Sequence, residues 1–281
     1  MKQPSLRRRK ERVWEIDAMR GLLIFLLLCG HFYFCVDAFC VDGYYHIDSY
    51  KFVDTFDPLH FWFDWEEDGV IHRNFLTPLL IELWMKSGVD TFFAMAGISS
   101  LFSRNNLKRA LRILAAGAFI AAFTYGLWKW TGDPTRFIRF GALYCYGFCE
   151  LIYVYFFEDK DSKTLLLSSI PVFLIGYYLR YHYTESGSIL LYPFGVYQRG
   201  AVGSDYWPIF PMLGWYLFGV VLGRKYYAEG KTLYSGRIGQ RLDRLTRPLQ
   251  WFGRHSGALY VGHIVVYTVA FCGIGYLFKL L

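Results

Sequence analysis

Charge is what this chain has least of. Asp, Glu, Lys and Arg make up only 19% of its 281 residues, against 54% hydrophobic and 21% aromatic residues. A soluble domain carries about 25% charge. The deficit, with the surplus of Phe, Tyr and Trp, points to lipid as the main solvent and excludes intrinsic disorder. Cysteine pairing is missing too. None of Cys29, Cys35, Cys40, Cys145, Cys149 and Cys272 stands in a Cys-x-x-Cys arrangement, so neither a zinc site nor a dithiol motif is expected. Most of these thiols sit in apolar runs, where they pack as small hydrophobes. There is no repeat of fixed period, no zinc finger and no aromatic–basic RNA motif. The net charge of +7 and the pI near 9.0 therefore suggest no nucleic-acid partner. They fit basic loops held at an anionic membrane leaflet.

What is present is a series of apolar runs. A basic start with Arg7, Arg8, Arg9, Lys10 and Arg12 precedes a run from Gly21 to Val36 that ends at Asp37 rather than at a small-residue cleavage site. This reads as a retained first span, not a signal peptide. A spanning helix needs about 20 mostly apolar residues. Seven segments qualify, near 18–39, 88–103, 109–130, 137–157, 164–181, 206–223 and 255–278, with 75–87 leading into the second or lying at the interface. With the N-terminus inside, the inner loops carry 21 Lys and Arg and the outer segments 9. That asymmetry places the N-terminus in the cytoplasm and the C-terminus outside.

The expected fold is therefore all-α. It is a polytopic integral membrane protein of about seven helices, read as one domain over 1–281. The domain comprises a cytoplasmic basic tail (1–17), an ordered outer loop (40–87) rich in acidic and aromatic residues, and a cytoplasmic basic loop (224–254) that forms an amphipathic helix. A bacterial plasma membrane is the expected location.

An ionisable group inside a membrane is a functional candidate. Four stand out: His31, Asp90, Glu150 and His263, with Asp17, Arg20, Asp37 and Arg139 near the interfaces. His31 follows Asp17 by 14 residues, about 21 Å of helix, which places it in the outer half of the bilayer. Neutral imidazole is tolerated there and takes a proton near neutral pH, as a general base requires. The plainer reading is a packing contact to a neighbouring helix, and the same reading competes for Asp90 and Glu150. Asp17 and Arg20, three apart, share a helix face. They form either a helix-start pair or, through Arg20, a phosphate contact.

The stretch Ile16-Asp17-Ala18-Met19-Arg20-Gly21, followed by an apolar run to His31, resembles the opening of membrane acyltransferases. The Arg20-to-His31 spacing of eleven is similar to the Arg and catalytic His of the acyltransferase-3 family. Three further stretches resemble the heparan-α-glucosaminide N-acetyltransferase catalytic-region family. They are Phe92-Phe93-Ala94-Met95-Ala96-Gly97-Ile98-Ser99; Asp205-Tyr206-Trp207-Pro208 with Leu213-Gly214; and Gly253-Arg254-His255-Ser256 with Tyr260-Val261-Gly262-His263. The chain departs from that family at Tyr144, where a His usually follows Phe140-Gly141-Ala142-Leu143.

The resemblance implies transfer of an acyl group, acetyl foremost, from cytoplasmic acyl-CoA to an extracytoplasmic acceptor, a sugar hydroxyl or amine. His31 carries over as the base, Arg20 as a coenzyme A contact and His263 as a pocket residue. Asp37 or Asp90 would orient the acceptor, and Asp17 with some of Arg104, Lys108, Arg109 and Arg112 would join Arg20 at the donor. Acyl-CoA is the expected co-substrate, with no metal. The partners are the lipid bilayer, acyl-CoA and a glycan. Direct transfer and a transient acyl-His are both open. So is the choice of base between His31 and the outer-loop His46, His60 and His72. The rival functions are a glycan or lipid transporter or flippase, and a non-catalytic membrane scaffold.

Overall fold

The computed structural model describes residues 13–40, 65–67, 70–72, 88–132, 134–181, 185–186, 188–198 and 205–280. Helix dominates. The elements in chain order are α1 (Trp14–Cys40), a short antiparallel ladder of β1 (Trp65–Glu67) and β2 (Val70–His72), α2 (Val89–Ser100), α3 (Asn106–Thr131) and α4 (Ala142–Ile152). Then come α5 (Ser162–Tyr181), the two-residue parallel pair β3 (Glu185–Ser186) and β4 (Tyr197–Gln198), α6 (Ile209–Tyr227), α7 (Gly236–Leu245), α8 (Arg247–Arg254) and α9 (Ser256–Leu280). The all-α expectation holds, and each of the seven apolar segments is a helix with shifted ends. The segment expected from 137 begins at Ala142, after the extended Gly141. The one expected from 206 begins at Ile209, with Pro208 as its N-cap and Phe210 non-helical before Pro211.

The apolar helices differ in length. Asn106–Trp130 and Ser162–Leu179 are long and apolar enough to cross a membrane, while Ala142–Phe157 and Ser256–Phe271 are shorter apolar helices. The two long stretches are only 22% and 17% buried. A long apolar helix in a soluble protein is a core helix. Here Leu166, Leu167, Ile170, Leu174, Ile175 and Tyr178 of α5 all face outward, a pattern suited to an apolar solvent. Most of the outer loop 40–87, including segment 75–87, lies outside the described residues.

The chain groups into two units. The first holds the start of α1 through Ile16 and Asp90–Arg244; the second holds α1 from Asp17 with β1, β2, Val89 and Leu245 onward. In the first, close packing is set by glycine. A Cβ on Gly97 would lie 2.0 Å from the Tyr216 carbonyl, and one on Gly219 would lie 2.0 Å from that of Ala94, so α2 and α6 cross backbone to backbone. Asn105 caps α3, its side chain accepting from Lys108 N at 2.8 Å. At the start of α1, Glu15 accepts from Leu233 N at 2.8 Å and from Tyr234 N at 3.2 Å, fixing the turn before α7.

In the second unit, α1 and α9 run parallel. Arg20 meets Ser256, Leu28 meets Tyr267 and Phe32 meets Phe271, so the contacts climb both helices together. Helix α8 packs across the start of α1. A Cβ on Gly21 would sit 1.7 Å from Leu249 O, and one on Gly253 would sit 1.8 Å from Asp17 O. The basic loop expected as one amphipathic helix forms two, broken at Thr246. Pro248 is tolerated only in the first turn of the second.

Candidate active site

Each unit holds one group of chemistry-bearing residues. In the second, the positions follow from helical spacing. Arg20, Ile24, Leu27 and His31 fall four, three and four residues apart on α1, one face of a helix. Ile24 and Leu27 are buried, so that face points inward. On α9 the matching stripe is Ser256, Tyr260, His263, Tyr267 and Phe271, of which all but the half-buried Tyr267 are buried. Where the stripes meet, Arg20 Nη2 donates to Ser256 Oγ at 2.7 Å. Eleven residues further along α1, about 16 Å of helix, His31 Nδ1 lies 2.5 Å from His263 Nε2.

The two imidazoles meet edge to edge. Their centroids are 4.8 Å apart with planes tilted by 25°, and this separation exceeds the N···N distance by about one ring diameter. Face-to-face stacking has no such relation. The tautomers follow from the second contact of His263, whose Nδ1 is 3.1 Å from the Leu259 carbonyl. A carbonyl only accepts, so His263 Nδ1 carries the hydrogen and, in the neutral ring, Nε2 is the acceptor. His31 Nδ1 is then the donor, and the lone pair of His31 stays on Nε2. Tyr260 and Tyr267 stand edge-on to the His263 ring, each at 5.5 Å, and hold its plane. Asp17 is buried, with its carbonyl against Gly253. Arg20 is half-buried and has N–H donors beyond the one given to Ser256.

In the first unit, the basic cluster after α2 divides. Arg104, Lys108 and Arg112 are exposed around the start of α3. Arg109 turns inward. Its Nε donates to Glu150 Oε1 at 2.6 Å and its Nη2 to Ala96 O at 3.3 Å and the Tyr216 hydroxyl at 3.4 Å, with Tyr146 beneath the guanidinium at 5.8 Å. Glu150 is fully buried, and its Oε2 has no hydrogen-bond partner among the described residues. Asp90 sits in the first turn of α2, half-buried and engaged. Tyr144 packs on α3, its ring 3.3 Å from where Gly117 would carry a Cβ. Asp205 Oδ2 accepts from Ala142 N at 3.2 Å and so caps α4 from a distant loop.

Several candidates lie elsewhere. His46 and His60 fall outside the described residues, as do the side chains of Asp37 and His72. Sequence reasoning gave no role to Ser256, Leu259 O or Tyr216. Ser256 had a legible signal, because Ser256, Tyr260, His263 and Tyr267 repeat at helical spacing. Tyr216 had none, being one aromatic among many. Among the described residues no group of three His, Cys, Asp or Glu side chains converges as metal ligands.

The family model described as heparan-alpha-glucosaminide N-acetyltransferase, catalytic, matches residues 58–265, about three quarters of the chain. The chain belongs to that family. Membership implies transferase activity of a membrane-associated kind. The matched span includes Asp90, Arg104, Arg109, Arg112 and His263, whereas Asp17, Arg20, His31 and Asp37 precede it. The likeness to the acyltransferase-3 family rests on that preceding segment and is not covered by the match. No curated protein and no solved structure matches the chain.

Proposed function

We propose that this protein is a transmembrane acyltransferase, moving an acetyl group from cytoplasmic acyl-CoA to a hydroxyl or amine of an extracytoplasmic sugar. In this reading α1, α2, α3, α4, α5, α6 and α9 span the membrane, with the N-terminus inside and the C-terminus outside. An odd number of spans requires the first and last to run in the same direction, and the parallel course of α1 and α9 supports this. Arg20 takes a donor phosphate with the N–H groups not given to Ser256, and Asp17 supports it. Arg104 and Arg112, both exposed, serve the same anionic donor. Arg109, already bound to Glu150 through Nε, offers only its remaining edge.

The observation that carries the proposal is the hydrogen-bonded histidine pair. A carbonyl fixes His263, His263 fixes His31, and the Nε2 lone pair of His31 is left as the base. Asp37 or Asp90 orients the acceptor. The acceptor O–H or N–H attacks the thioester carbonyl as its proton passes to His31 Nε2. The tetrahedral intermediate then expels the coenzyme A thiolate, which recovers that proton from the imidazolium. In the alternative route Nε2 itself attacks, the thiolate leaves, and the acyl-His passes its acyl group to the acceptor. Both routes begin at the same nitrogen.

The test uses protein in sealed vesicles, labelled acetyl-CoA and a panel of glycans. Acceptor-dependent label transfer that fails with His31→Ala supports the proposal. Consumption of no thioester with any acceptor, alongside movement of a labelled glycan or lipid across the vesicle, would assign the chain to transport instead.

A further inference from the structure

The basic segment before α9 carries a feature that acyl transfer does not use. Helix α7 has ten residues, and a helix that short is marginal in water without a packed face. Its Gly239 lies against the Tyr234 carbonyl, and Leu242 and Asp243 are half-buried. Ile238 and Leu245 are 69% and 77% exposed, two turns apart on one stripe. Arg237, Arg241 and Arg244 repeat at i, i+4 and i+7 on a second stripe, about 100° around the helix. All three are exposed, and none makes an ion pair among the described residues.

Helix α8 repeats the arrangement by itself. Its inner side, through Leu249 and Gly253, lies against α1. Its outer side presents Arg247, Trp251 and Arg254 at the same i, i+4, i+7 spacing, with Trp251 49% exposed. Two consecutive helices thus each set large apolar side chains beside exposed arginines on an outward face.

We infer that α7 is a docking surface for an anionic lipid leaflet, with its arginines at the headgroup phosphates and Ile238 and Leu245 at the acyl boundary, and that the outer face of α8, taken by itself, is a second surface of the same kind with Trp251 at that boundary. The charge decides for lipid over a protein groove. Arginine presents planar donors to phosphate, its stem covers apolar surface while its head stays in water, and Trp favours the membrane interface. A protein groove would satisfy the apolar stripe but has no use for the stripe of three exposed arginines on α7. The inference rests on the membrane reading of the chain.

Hydrogen exchange of the full-length protein in nanodiscs tests it, comparing phosphatidylcholine alone with a mixture containing phosphatidylglycerol. Amides of 236–245 should exchange at least about tenfold more slowly in the anionic discs. High salt should erase the difference, and so should R237Q/R241Q/R244Q. Equal exchange in the two lipids, or protection indifferent to salt, overturns the proposal. Protection that grows with protein concentration in detergent would assign the face to a second copy and also overturn it. Failure of the membrane reading is distinct, since the protein would then leave membranes in alkaline carbonate and enter no disc.

Discussion

His31 Nδ1 donates to His263 Nε2 at 2.5 Å, and His263 Nδ1 in turn meets the Leu259 carbonyl at 3.1 Å. A main-chain carbonyl at one end of the chain of contacts sets which nitrogen of His31 carries a lone pair at the other. His31→Ala is expected to lower turnover by about 10²–10⁴-fold while the protein still inserts and binds donor with unchanged KM. His263→Ala should lose less, since the base remains and only its tautomer is released, and the double variant should be no worse than His31→Ala. A purified His31→Ala protein with near wild-type turnover would leave packing as the role of that residue.

Arg20 is expected to act on the donor alone. Loss of a charge-assisted phosphate contact costs about 1.5–3 kcal/mol. Arg20→Ala should therefore raise donor KM by about 10–150-fold. Ser256→Ala, which removes the 2.7 Å anchor of the guanidinium but not its charge, should raise it less. A rise confined to acceptor KM would reverse the assignment.

The Arg109–Glu150 pair is expected to be a stability element. Truncating one partner leaves the other charge uncompensated in a site where Glu150 has no exposed surface. Glu150→Ala should destabilise by about 3–5 kcal/mol, read as a fall in Tm in detergent. Replacing both, with Arg109→Met and Glu150→Leu, should recover most of that loss. If the double variant melts as low as Glu150→Ala, the pair is not what holds α3 to α4.

Glycine contacts give a sharper test of the second unit. A methyl at Gly21 would stand 1.7 Å from Leu249 O, a distance no side chain can accept without moving the backbone. Gly21→Ala should separate α8 from α1, at a cost of about 1–3 kcal/mol. Gly30→Ala, where nothing lies within 4 Å, should be silent. Equal melting temperatures for the two variants would rule out the close crossing.

Topology is open to direct measurement. Reporters fused after Leu281 and within 40–70 should both report the outer side, as seven spans with a cytoplasmic N-terminus require. A cytoplasmic signal from either would reverse the orientation.

Much of the fold was legible because apolar helices are written in composition. Seven apolar runs bounded by charge became seven helices, since an apolar helix satisfies its own backbone whatever surrounds it. The candidate residues were less legible. Arg104, Lys108, Arg109 and Arg112 look alike in sequence, yet only Arg109 turns inward, because the rotation of α3 carries it toward Glu150. His31 looked isolated because its partner lies 232 residues away. The basic loop read as one helix because hydrophobic periodicity does not register a break of one residue at Thr246.

The sequence by itself determined which segments are helical, which loops are basic and which ionisable groups lie within apolar runs. All of these depend on neighbours within a few turns. Only the tertiary structure decided that Arg20 is anchored by Ser256, that Arg109 is taken by Glu150 and that His31 is one of a pair. Each is a contact between helices distant in the chain. Their pairing depends on how Gly21 and Gly253, or Gly97 and Gly219, let backbones approach, and local pattern does not encode that geometry.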